Sequence, residues 1–317
     1  MKKTAFPRLR AASCFSHPVK RCLRAAFACL FCAAALSLQA ATSEYFTNPT
    51  SGGAWSTTSG SDWSTSSSGT GGSDWVNGNY AYFFSTGITP ATPYSVTVGS
   101  AGVTTARITD VNSAGNLTFN SSTITLVGGA NLTGYCLIRN ETANEMIFNS
   151  VIAGSSVGLY TGYSSGTIVL AGDNTYTGGT IVGAGTLVIQ NGTAATGTGN
   201  VTVEVDPNNS TLVGTLTWNT TTATIPGSVT VGGASGYTAK LGPSSGVSAL
   251  HIGGSLTFNS YSEPIFALSS TYSGANDQVA VTSTLTCGGV QVGISCGSTL
   301  DTSGNDSSEK CLPGRRC

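Results

Sequence analysis

The stretch Gly166–Thr193, GTIVLAGDNTYTGGTIVGAGTLVIQNGT, decides the fold. It contains three short apolar runs: Ile168-Val169-Leu170, Thr180-Ile181-Val182 and Thr186-Leu187-Val188-Ile189. Each is too short for a helix and rich in β-branched residues, so each reads as a strand. Asp173-Asn174, Gly178-Gly179, Gly183 and Asn191-Gly192 lie between or after the runs and supply tight-turn or left-handed geometry. Nineteen residues separate Ile168 from Leu187, and the same offset carries Leu170 onto Ile189. That offset is about one coil of a parallel β-solenoid, in which a coil buries its apolar face only by stacking on the next.

Working outward, the chain repeats itself loosely. Val96-Thr97-Val98 recurs as Val201-Thr202-Val203 and Val229-Thr230-Val231, and Leu117-Thr118-Phe119 as Leu256-Thr257-Phe258. Apolar-Thr-apolar is strict period-2 alternation, the pattern of a strand with one buried face. Glycine pairs at 128–129, 232–233, 253–254 and 288–289 follow as turns, and the uneven intervals imply coils of unequal length. The fold expected is all-β, a right-handed parallel β-helix with irregular coils. The expected organisation is a signal segment over 1–40, a Trp/Ser/Gly-rich N-terminal cap over 41–90, the solenoid over 91–300, and a polar, disordered tail over 301–317.

The first 40 residues carry Lys2, Lys3, Arg8, Arg10, Lys20, Arg21 and Arg24, then an apolar run from Ala25 to Leu38 and a small-residue site at Leu38-Gln39-Ala40. This is the pattern of a cleaved export signal, and the run is shorter than the roughly 20 residues of a membrane span. The part after residue 40 is expected to have no transmembrane segment. All 14 acidic residues follow residue 40 but only six of the 13 basic ones do, leaving a formal net charge of −8 over 41–317. Such a balance disfavours nucleic acid and anionic membranes as partners. Cys136, Cys287, Cys296, Cys311 and Cys317 make an odd set rather than a disulfide framework, with Cys287–Cys296 and Cys311–Cys317 as the candidate pairs.

The central stretch closely resembles the autotransporter-associated β-strand repeat. Gly172, Asn174, Thr175, Tyr176, Gly178, Gly179, Thr180, Gly185, Thr186 and Leu187 match its pattern of a turn, Gly-Gly-Thr, a short run and Gly-Thr-Leu. Proteins bearing this repeat often open in a similar way, with a Trp-rich segment, a Phe-rich strand and a Val-Thr-Val strand. Trp75-Val76-Asn77, Tyr80–Phe84 and Tyr94–Val98 resemble that opening. The resemblance implies an exported bacterial solenoid at the cell surface or outside the cell, related to autotransporter passenger regions. It also implies that Asn174 turns the chain and extends a ladder between coils. After Leu300 the alternation stops without barrel strands or an apolar sorting helix, and the change in composition reads as an interrupted frame rather than a released rod.

Candidate chemistry is sparse. After residue 40 the one histidine is His251, on an apolar strand without a Gly-x-Ser-x-Gly elbow, and no His/Cys ligands there fall at metal spacing. A polysaccharide-degrading parallel β-helix is the alternative to a structural module, with Glu204/Asp206 and Glu141/Glu145 as its possible carboxylate pairs. Glu204 and Asp206 read equally well as a strand running into an Asx-type turn, and Glu141/Glu145 fall in a loop, so a non-enzymatic module needing no cofactor and no metal is the expectation. Trp55, Trp63 and Trp75 carry two readings: plugs for the open end of the first coil, or stacking platforms for glycans of a cell or host surface.

Overall fold

The structure, a computed structural model, describes residues 40–48, 52–58, 61–84, 88–90, 92–190, 192–244, 248–268, 277–288 and 295–296. The chain divides into two units, 1–40 and 41–317, and the strands belong to the second. The expected signal segment, Ala40 apart, and the tail 301–317 lie outside the described residues. All regular structure among the described residues is strand, and no helix there is long and apolar enough to cross a membrane.

Period-2 alternation gives each strand one apolar face, and parallel stacking is what buries it. An eleven-stranded sheet takes Ser43–Phe46, Tyr80–Phe83, Arg107–Asp110, Tyr135–Asn140, Gly158–Thr161, Thr180–Val182, Val201–Glu204, Val229–Gly232, Leu256–Phe258 and Leu285–Cys287 in order, with Trp63–Ser64 at one end. A nine-stranded sheet takes the strand that follows in each coil, from Gly53–Trp55 through Thr167–Leu170 and Gly185–Ile189 to Ser262–Pro264. Shorter sheets make a third face: Val103–Thr105, Ile124–Leu126 and Ile152–Ala153 before the central stretch, and Thr222–Ile225, Ala249–Ile252 and Gln278–Val281 after it. The chain therefore runs as stacked parallel coils, a parallel β-solenoid.

The coils are unequal. Leu170 pairs with Ile189, an offset of 19 residues, whereas Phe119 pairs with Phe148 and Ala54 with Thr97, offsets of 29 and 43. Loops absorb the difference and the registers stay aligned. One inward column runs Val96, Phe119, Phe148, Leu170, Ile189, Trp218 across six coils of the nine-stranded sheet. Each of these side chains is buried, and burial of a large apolar side chain contributes about 1.5–3 kcal/mol. Phe119 stacks on Phe148 with ring centroids 4.7 Å apart, as consecutive rungs dictate.

The first coil is closed from outside. Trp63–Ser64 pairs antiparallel with Tyr45-Phe46, against the parallel direction of the other named strand pairs, and so covers an edge that would otherwise template further pairing. Trp55, Trp63 and Trp75 fill the end, with centroids 4.7–5.6 Å apart. The sheets begin at Ser43, so the segment expected as a separate cap also supplies rungs of the solenoid.

Candidate functional site

The central motif closes two of the coils. Across 171–178 and 192–199 the third face has no strand, and Asn174 takes over its hydrogen bonding. The Ile152 N–H donates to Asn174 Oδ1 at 2.7 Å, and Asn174 Nδ2 donates to the Ala195 carbonyl at 2.6 Å. One buried side-chain amide thus ties three successive coils, the one before its own and the one after. This differs from an asparagine ladder, because the amide bonds backbone groups that a strand would otherwise satisfy. Backbone bonds complete the seam, from Thr175 N to Ile152 O, Thr177 N to Gly154 O and Thr198 N to Tyr176 O, at 2.8–3.0 Å.

Tyr176 is fully buried and fills the interior where this face lacks a strand residue. Its hydroxyl lies 2.7 Å from Thr180 Oγ1, which itself donates to the Thr196 carbonyl at 3.1 Å. A threonine hydroxyl has one proton, so Tyr176 is the donor of the first bond. The Gly-Gly that follows is a close approach followed by a left-handed residue. A Cβ on Gly178 would sit 2.3 Å from Gly158 N and Val157 C, and Gly179 has φ +89°. Gly172 and Gly185 stand equally close to neighbouring coils, 2.5 Å from Ser150 O and 2.3 Å from Gly166 O. Leu187 points inward beneath Ile168, while Thr186 lies outward in register with Thr167 and Thr215. The motif is therefore a closing device, and its buried polar groups, Asn174, Tyr176 and Thr180, are bonded inside the wall.

The three tryptophans are buried to 0–2% exposure and pack on one another, on Phe46 and on Phe83. Trp75 Nε1 donates to the Thr104 carbonyl at 3.1 Å. Their ring faces are taken up by one another, so no pyranose can stack on them. The geometry corrects the glycan-platform reading: these residues plug the end.

Of the four candidate carboxylates, Asp206, Glu141 and Glu145 have partners of their own in the wall. Asp206 is buried and accepts from Tyr160 Oη, from Tyr163 N at 2.6 Å and from Asn208 N at 2.8 Å, so it anchors the turn 206–209 to an earlier coil. Glu204 lies outward beside it, its pKa raised by partial burial and then by the Asp206 charge. Glu141 pairs with Arg139 at 3.2 Å, and Glu145 Oε2 accepts from Asn116 at 3.1 Å. His251 is exposed on its strand, and no group of three potential metal ligands occurs among the described residues. Asp173 Oδ1 accepts from Thr193 Oγ1 at 2.6 Å, a bond between adjacent turns. Cys136 is buried, with its thiol pKa pushed up by burial. Cys287 carries a free, exposed thiol, contrary to the candidate pairing with Cys296; Cys311–Cys317 lies outside the described residues.

Sequence reading missed two buried acids. Glu44 accepts from Asn79 Nδ2 and from Val76 N, and burial raises its pKa against those bonds. Asp110, at the inward end of its strand, is pushed up to about 6 by burial, against hydrogen bonds from Ser113 and Asn112; the Glu141 charge adds to the rise. An acid at an inward position of an alternating strand is the signal that could have found both.

Residues 164–189 match the family model of the passenger-associated-transport-repeat. The chain carries one such repeat. It covers the Thr167–Leu170 and Gly185–Ile189 strands and the Asn174 seam between them, the part built here by the 19-residue offset. No curated protein and no solved structure matches the chain.

Proposed function

We propose that the chain is an exported, passenger-like structural module that acts at the cell surface or outside the cell and adheres through its outer faces. The observation that carries this reading is the passenger-associated-transport-repeat sitting inside an unbroken ladder of parallel coils. The nine spacings between the ten parallel rungs of the long sheet, about 4.8 Å each, give a stack of about 43 Å, stiff because each inner coil is hydrogen-bonded to both neighbours. The mechanism is geometric: the wall is spent on holding the stack together, and contact with other surfaces falls to outward side chains and loops.

The basic n-region and apolar run of residues 1–40 support export, and the −8 balance of 41–317 suits an extracellular surface that stays soluble. Fractionation of cells expressing the full chain, with protease added to intact cells, tests export. Protein held in the cytoplasm and protected from protease would refute it. Beads coated with the full chain should bind host or neighbouring cells above an uncoated control, and failure to do so would remove the adhesive part alone.

A further inference from the structure

The outer face of the long sheet is not uniform. Parallel register places Tyr45 beside Tyr82, Tyr80 beside Arg107, and Tyr82 and Arg139 on either side of Thr109. Tyr45 and Tyr82 stack with centroids 5.1 Å apart and planes 24° from parallel. Arg107 continues the stack, its Cζ 5.1 Å from the Tyr82 ring centroid and its Nε donating to Thr109 Oγ1 at 2.9 Å. Two rungs and a guanidinium thus form one pile along the solenoid axis. With the ring faces turned to one another, it presents ring edges and the remaining guanidinium N–H groups outward.

Charge distinguishes this strip from the rest of the wall. Of the three basic residues between 41 and 300, Lys240 is paired with Glu263 and Arg139 with Glu141, both at 3.2 Å. Arg107 makes no ion pair among the described residues. The outward positions of its own strand and the two before it are Ser43, Tyr45, Tyr80, Tyr82, Arg107 and Thr109, with no acid among them. A half-buried guanidinium held by a ring and a hydroxyl loses little freedom when it binds, and its free fork matches a carboxylate.

We propose that this strip binds a carboxylated polysaccharide, a uronate seated on Arg107 and sugar hydroxyls meeting the Tyr45 and Tyr82 phenols on the neighbouring rungs. Phenols and guanidinium recur at the rung spacing of about 4.8 Å along one line, which suits a linear polymer laid along the axis. Sugar hydroxyls both donate to and accept from phenols, whereas an acidic peptide would use the carboxylate site and leave them idle. The inference names the ligand class for the adhesive reading above and rests on it.

The test is binding of the full chain to polygalacturonate, to a neutral dextran and to heparin, by affinity electrophoresis at low and moderate salt. Polygalacturonate should bind, more weakly as salt rises. Arg107→Gln should weaken it at least tenfold and Tyr82→Phe about threefold, the latter losing a hydroxyl but keeping the stack. Lys240→Gln should change nothing, and fluorescence of the buried tryptophans should be the same in every variant. Equal binding of dextran, binding of heparin alone, no binding, or full binding by Arg107→Gln would each overturn the proposal. Cell adhesion that survives Arg107→Gln would overturn it too and leave the adhesive reading standing, whereas wild-type protein that adheres to no cell defeats the adhesive reading itself.

Discussion

Replacing Asp110 by Asn should stabilise this protein, and by an amount that depends on pH. The Asp110 carboxyl is buried and its pKa rises from 3.8 to about 6. Between those values the folded chain holds a proton that the unfolded chain has released, so stability is greatest at the acid end and falls as pH rises through 6. A rise of about two units corresponds to about 3 kcal/mol lost by pH 8. The amide of the Asp110→Asn variant carries no charge to desolvate. It can still accept from Ser113 N, the bond Asp110 makes at 3.1 Å. The next coil already shows that solution: Asn140, in register with Asp110, accepts from Thr142 N and Thr142 Oγ1 at 3.0 and 2.9 Å. Urea midpoints of wild type and Asp110→Asn, followed by tryptophan fluorescence from pH 4 to pH 8, measure the difference. It should be near zero at pH 4 and approach about 3 kcal/mol in favour of the variant at pH 8. Glu44 and Glu204, also raised, tilt both proteins alike and cancel in the difference. A variant less stable than wild type at pH 8, or a difference that does not vary with pH, would refute the reasoning.

Four further outcomes follow from the seam, the plug and the Asp206 turn. Asn174→Ala strands the Ile152 N–H and the Ala195 carbonyl, two buried groups at about 1–3 kcal/mol each, so the urea midpoint should fall by the equivalent of about 3 kcal/mol or more. Gly178→Val drives atoms into Gly158 and Val157, and the secreted or refolded protein should be protease-sensitive throughout 150–200. Trp55→Ala opens the plugged end and should cost about 3–5 kcal/mol in thermal or urea unfolding while leaving any polysaccharide binding of folded protein unchanged. Asp206→Ala removes the acceptor for Tyr160, Tyr163 and Asn208 and should speed amide exchange at 160–163 and 206–209.

The coil was legible because its signal is local and periodic. Ile168 to Leu187 and Leu170 to Ile189, offsets visible in the letters, are the registers of the folded wall. What the triplets could not tell is which wall they occupy. Val201–Val203 and Val229–Val231 pair on the long sheet, but Val96–Val98 lies on the nine-stranded one. Leu117–Phe119 and Leu256–Phe258 are likewise split between the two. Every face of the solenoid asks for the same inward-outward-inward pattern, so alternation fixes the state of a strand and leaves its place to the loops. The tryptophans illustrate the other limit. Polar Ser/Gly/Thr surroundings made an exposed platform plausible, whereas the folded first coil turns all three rings into its own open end. The turn at Asp206 was legible, but the distant partners of Asp206 and Arg107 were not: they lie 46 and 25 residues away in sequence, at Tyr160 and Tyr82, and only register brings them together.

That register also decides where recognition can sit. The passenger-associated-transport-repeat spans 164–189, and its outward strand positions are Thr167, Val169, Ile181, Thr186 and Val188. Three of these are apolar, none is charged, and Val169 and Val188 are 3% and 7% exposed. The motif's buried polar side chains are taken up by the seam, in the bonds of Asn174, Tyr176 and Thr180. A segment spent in this way specifies a shape first, and the only charge on it is the exposed Asp173, which is bonded to Thr193. On the proposed adhesive reading, selectivity comes from coils on which the repeat imposes no residues, and the Arg107–Tyr82–Tyr45 pile lies two to four coils before the repeat begins. Changing outward residues inside 164–189 should therefore leave binding unaltered, while exchanging the Tyr45–Tyr82–Arg107 strip for Thr at each position should abolish it without altering the fold. The same stack of coils would then serve different surfaces by varying one outward column at a time.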